Sequence, residues 1–157
     1  MHQAILVCVF CLPIALAQKY TGPQPPKPDV PYLVHADSLL ETEVSEAREE
    51  TRKDNLAYVV SGEKSSVRTP LAGPILLLKS EKIAPDKLQL YRVESKGGQR
   101  EVVFSKKKKD ATGQPIRLSL ARLEESLYRI EVDESLENGE YCLSPSGENR
   151  VFCFQVY

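Results

Sequence analysis

Between Tyr32 and Tyr157 the apolar side chains fall in short apolar or alternating runs broken by turn-forming residues. A repeat of two places the apolar groups of a run on one face of an extended chain, whereas a helix needs a repeat near 3.6. Ile116, Leu118 and Leu120 alternate with Arg117 and Ser119, and Tyr128, Ile130 and Val132 alternate with Arg129 and Glu131. Each pattern predicts a strand with one dry and one wet face. Tyr32–Val34, Leu56–Val60, Leu88–Val93, Arg100–Phe104, Tyr141–Leu143 and Val151–Val156 add further short runs. Ile75–Leu78 (ILLL), behind Pro74, has no polar face and reads as a fully buried strand. The expectation is an all-β domain of about nine strands.

The first residues differ from everything after them. Ala4–Ala17 carries no charge and ends on Ala15-Leu16-Ala17, the small-x-small pattern of a signal-peptide cleavage site. An apolar run this short does not span a bilayer of ~30 Å. The sequence therefore predicts a signal peptide over 1–17, cleavage near Ala17, and an exported, periplasmic or extracellular chain with no transmembrane segment. Residues 18–31 follow as a Pro-rich tether. Gly22–Pro31 holds five prolines in ten residues, which favours an extended, polyproline II-like path. Residues 32–157 form the β domain.

Composition narrows the partners. Twenty-one basic residues nearly cancel twenty-two acidic ones. That balance lacks the strongly basic face expected of a nucleic-acid binder. Cys8 and Cys11 leave with the signal, so Cys142 and Cys153 are expected to form one disulfide.

Two segments carry register information. Lys96-Gly97-Gly98-Gln99 suits a two-residue hairpin, because that turn needs positive φ at its centre. Centring it there sets Glu94 opposite Glu101, Val93 opposite Val102 and Tyr91 opposite Phe104. Ser38–Lys53 is open to two readings, a charged helix or a long charged edge strand. The strand is favoured, because the second half of a helix would have no apolar face to bury. In that strand Leu40, Thr42 and Val44 share one side while Glu41 and Glu43 point outward.

If Cys142 pairs with Cys153 across a turn near Gly147-Glu148, Leu143 falls opposite Phe152 and Tyr141 opposite Phe154. The four large side chains then share one face and both sulfurs the other. One register accounts for both the core pattern and the disulfide. Just upstream, Leu136-Glu137-Asn138-Gly139-Glu140-Tyr141 resembles the tyrosine corner of immunoglobulin-like and other Greek-key sandwiches. The resemblance implies an immunoglobulin-like (Greek-key) β-sandwich, with Leu136, Gly139 and Tyr141 as its structural corner and Tyr141 opening the penultimate strand. In immunoglobulin domains a cysteine follows this tyrosine by two residues; here Cys142 is the next residue. More loosely, the chain resembles uncharacterised secreted bacterial proteins, a likeness that implies no activity.

Catalytic equipment is not legible. His35 is the one histidine after the predicted signal, and a lone histidine at a strand end is more often structural than a base. No G-x-S-x-G elbow, phosphate loop or HExxH is present. With one histidine and both cysteines paired, no transition-metal site of ordinary ligand type is expected. No D-x-D-x-D-G calcium pattern occurs either, so no cofactor is predicted. Lys106, Lys107, Lys108 and Lys109 form a basic run, read as a solvated loop or as a contact for an anionic surface. Two functions compete. One is a non-catalytic exported binding or scaffolding module for an unknown protein or an envelope polysaccharide. The other is a small secreted hydrolase or lyase with a carboxylate-based site. The first is favoured.

Overall fold

The computed structural model describes residues 19–105 and 112–157. The predicted signal, 1–17, and the basic run Lys106–Lys109 lie outside the described residues. Within them the fold is all-β: β1 (Pro31–His35), β2 (Ser38–Glu41), β3 (Glu43–Arg52), β4 (Asn55–Ser61), β5 (Arg68–Thr69), β6 (Ile75–Lys79), β7 (Gln89–Lys96), β8 (Gln99–Ser105), β9 (Pro115–Ile116), β10 (Leu118–Arg122), β11 (Leu127–Val132), β12 (Gly139–Ser144) and β13 (Arg150–Val156). The one helical element is a single 3-10 turn at Pro85–Lys87.

Five strands form an open antiparallel sheet in the order β10-β11-β6-β1-β2. The second sheet closes on itself. β12 pairs β13, β13 pairs β3, β3 pairs β4, β4 pairs β8, β8 pairs β7, and β7 returns to β12, every pairing antiparallel. The result is a six-stranded barrel, with β5 added to β13 and β9 to β7. All-β was legible in the alternation, but the two open sheets expected of a nine-stranded sandwich are realised on one side only. The closing contact is the pairing of β7 with β12, from Glu140↔Val93 to Ser144↔Gln89. An alternating strand reads the same in an open sheet and in a barrel, so sequence periodicity does not distinguish them.

The main core lies between the outer wall of the barrel and the open sheet. Leu90, Tyr141, Leu143, Phe152, Phe154 and Val156 of the barrel meet Leu33, Leu76, Leu78 and Ile130 of the open sheet. The predicted C-terminal register holds: Tyr141↔Phe154, Cys142↔Cys153 and Leu143↔Phe152 are direct partners. The predicted Gly97-Gly98 turn also holds, with φ of 60° and 80°, and β7 and β8 pair from Lys96↔Gln99 to Glu94↔Glu101.

Ser38–Arg52 is extended, not helical, and serves both layers. Thr42 interrupts it, donating its N–H and hydroxyl to the Pro31 carbonyl at 3.3 and 2.7 Å. β2 before this break belongs to the open sheet and β3 after it to the barrel. The expected sidedness is corrected here. Leu40 and Val44 are exposed, at 37% and 47%, and Glu43 turns inward onto Arg100. Ahead of β1, the Pro-rich stretch is docked at its C-terminal end. Asp29 adopts φ 56°, and its Oδ1 accepts the Glu81, Lys82 and Ile83 N–H groups at 3.0, 2.9 and 3.0 Å. Burial alone would raise the Asp29 carboxyl, but these three bonds hold it below the usual carboxylate range.

Candidate functional site

Alternation divides each barrel strand into outward and inward residues; the outward ones of β7, β12 and β13 build the main core, and the inward ones fill the lumen. The lumen has three levels. At one end lies Arg100, only 1% exposed. Its guanidinium donates to Glu43 Oε1 at 2.6 Å and to the Ser61 and Gly62 carbonyls at 2.9 and 3.0 Å, and approaches Glu140 Oε2 at 3.8 Å. The loop after β4 closes over this end. Its Ser65 and Ser66 N–H groups donate to Glu140 Oε2 and Glu43 Oε2 at 2.8 and 3.0 Å. Burial raises Glu43, but bonds from Arg100, Ser65 and Ser45 outweigh it and leave its pKa below the usual value. Glu140 goes the other way. Burial pushes it up further than the Ser65 N–H and the Arg100 charge pull it down, and its Oε1 is buried with no hydrogen-bond partner.

The middle level is apolar and carries the disulfide. Cys142 and Cys153 are bonded Sγ to Sγ at 1.98 Å, packed with Ala47, Val60, Val93, Val102 and Val151. Both sulfurs face the lumen while their neighbours Tyr141, Leu143, Phe152 and Phe154 face the main core, the division predicted from the hairpin register.

The opposite end is open. β7 pairs β8 only over Glu94–Lys96; at Leu90 and Tyr91 β7 pairs with β9 instead. The two strands part there, and Thr112–Ile116 bridges the seam. The Thr112 and Gly113 N–H groups both donate to the Val103 carbonyl at 2.9 Å. Gly113 lies on Phe104 so closely that a Cβ would come within 2.6 Å of the ring. Any larger residue at 113 would have to displace the Phe104 ring. The parting leaves a cavity of about 600 Å³, bounded below by Val93, Val102 and Cys142 and overhung by the turn Pro145–Asn149. Tyr58, Tyr91 and Phe104 form its aromatic wall. Phe104 meets Tyr58 and Tyr91 edge to face, with centroids at 5.8 and 5.5 Å. The Tyr58 hydroxyl donates to Glu49 Oε2 at 3.0 Å and that of Tyr91 to Gln89 Oε1 at 2.7 Å. The Glu49 bond, then burial, raises the Tyr58 pKa; burial raises that of Tyr91.

Of the candidate disulfide and corner residues named in the sequence, Cys142 lines this cavity, as do the hairpin residues Tyr91, Val93, Val102 and Phe104. Leu136 is buried in the main core, and Gly139 lies against the Arg92 guanidinium, where a Cβ would sit 3.3 Å from Nε. The Tyr141 hydroxyl donates to the Glu137 carbonyl at 2.8 Å on the outer wall. His35 Nε2 lies 2.9 Å from Thr69 Oγ1. Among the described residues no group of three or more His, Cys, Asp or Glu could hold a metal ion, and no helix is long and apolar enough to cross a membrane. Sequence reasoning missed the three-ring wall and the Arg100 cluster. The signal for the latter was an arginine standing in phase with Val102 and Phe104 on an apolar stripe. No family model matches the chain, and neither a curated protein nor a solved structure matches it.

Proposed function

We propose that this chain is an exported, non-catalytic binding module whose ligand enters the open end of the barrel. The observation that carries the reading is the aromatic-walled cavity of about 600 Å³, a volume within the range of small-molecule sites and lined, as such sites are, mainly by apolar groups. The paired carboxylates that a hydrolase would use have their nearest counterpart in Glu43 and Glu140. They lie beneath the 62–66 loop, engaged by Arg100 and by backbone N–H groups. Export is supported by the Cys142–Cys153 disulfide together with the signal-like 1–17 segment. The Tyr141–Glu137 bond supports the tyrosine-corner likeness, and with it a Greek-key ancestry for the wall that faces the open sheet.

The test is native mass spectrometry of the disulfide-bonded protein after incubation with a small-molecule extract of the secreting cells. Discrete one-to-one adducts are expected, lost when Val102→Trp fills the cavity. Adducts that persist in a folded Val102→Trp protein would move the site elsewhere. Turnover of an extract component that is abolished by Glu43→Gln would favour the hydrolase reading.

A further inference from the structure

The chemistry of the cavity wall restricts its occupant. We infer that the barrel mouth binds a small molecule with a flat, uncharged aromatic body, laid against Tyr91 and Phe104 with any polar end turned to the rim; this rests on the mouth being the ligand site.

Three observations lead there. The rings of Phe104 and Tyr58 stand at 87° to one another and those of Phe104 and Tyr91 at 80°. A flat guest entering among such rings can stack on one and present its edge to the next, the two arrangements aromatic pairs prefer. Next, the wall has no uncommitted tyrosine donor, since both hydroxyls are already given to Glu49 and Gln89. The rest of the apolar lining is Leu56, Val60, Val93, Val102 and Cys142, a surface that favours polarizable apolar atoms. Finally, among the described residues the wall offers no uncommitted partner for a charge. Its one acidic side chain, Glu148, lies 3.3 Å from Arg150, and no Lys, Arg or His lines the cavity among the described residues. A charged body here would be desolvated without compensation. The further hydrogen-bonding side chains of the described lining, Gln89, Ser144, Ser146 and Asn149, are exposed or half-buried and so belong to the solvent side, the rim.

The experiment titrates the disulfide-bonded protein with three fluorescent probes of similar size. They are neutral N-phenylnaphthylamine, anionic anilinonaphthalene sulfonate and cationic thioflavin T. With no tryptophan in the chain, intrinsic emission interferes little. The neutral probe is expected to saturate at one per chain and to bind at least tenfold tighter than either charged probe. Tyr91→Leu and Phe104→Leu should each weaken it roughly three- to tenfold, and Leu120→Ser, on the open sheet, should leave it unchanged. A charged probe binding as tightly as the neutral one would overturn the assigned class while leaving the mouth as the site. Equal weakening by Leu120→Ser, or no saturable binding of any probe, would overturn the site as well. The three-probe comparison needs no variant, so it stands even if a leucine substitution impairs folding.

Discussion

At its closed end the barrel holds Arg100 at 1% exposure between two carboxylates and two carbonyls, with a loop bonded across the top. At its open end it holds three aromatic rings, Tyr58, Tyr91 and Phe104, each of intermediate exposure, above a cavity. The same six strands supply both ends. What differs is the state in which the inward groups are left. Buried charges cannot be left unmatched, so each at the closed end recruits a partner, and those partners include the backbone of the covering loop. Half-buried rings incur no such penalty and can wait for a guest. On the function proposed above, stability is concentrated at one end and recognition at the other.

The comparison is most exposed to substitution of Arg100. Arg100→Met leaves Glu43 and Glu140 buried with no cation between them and removes the donors to Ser61 and Gly62, and should cost about 3–5 kcal/mol in urea unfolding. Adding Glu43→Gln should return part of that loss. If Arg100→Met costs no more than Phe104→Leu, the division between the ends fails. The level between them gives the next largest effect. The Cys142→Ala/Cys153→Ala pair opens a loop of sequence separation 11, for which chain entropy gives about 2–3 kcal/mol. Alkylation with mass spectrometry should find no free thiol at either cysteine in the unreduced protein. Tyr141→Phe, on the outer wall, should cost about 1 kcal/mol through the lost bond to Glu137, read by calorimetry.

How much of this could be read from the sequence follows from the reach of each signal. Period two is local, so it gave strands, and opposed positions in a hairpin are nearly local, so Cys142↔Cys153 and Glu94↔Glu101 were legible. Barrel closure depends on β7 meeting β12, residues separated by 47 to 55 positions, and no local pattern records that. Alternation with Leu40, Thr42 and Val44 on one side points Glu43 outward. Its inward turn makes sense only once Arg100 is known to lie across the lumen. The hairpin register sets Tyr91 opposite Phe104, with nothing local to mark them as the wall of a cavity. They become a wall because β7 exchanges β8 for β9 at that level, a non-local event.

The smallest predicted effect is one of pH, and it separates the two carboxylates of the closed end by sign. The Glu140 pKa is raised above its ordinary 4.5, so the folded state holds this proton more tightly than the unfolded one. The group's contribution to stability is then greatest at low pH and is lost as pH rises from about 4.5 through the folded value. Glu43, lowered from 4.5, contributes above that value and loses its contribution as pH falls through its folded pKa. Glu140→Gln keeps an acceptor for the Ser65 N–H but removes the titration. Its stability relative to the unmodified protein should therefore be most favourable near pH 7 and decline as pH falls toward 4.5. Probe binding at the mouth should stay flat over the same range, since Tyr58 and Tyr91 titrate above their ordinary 10. A relative stability that instead improves on acidification would mean that the Glu140 carboxylate is held ionised by Arg100. Burial would then not govern Glu140, and the closed end would be a fully paired triad with no strained member.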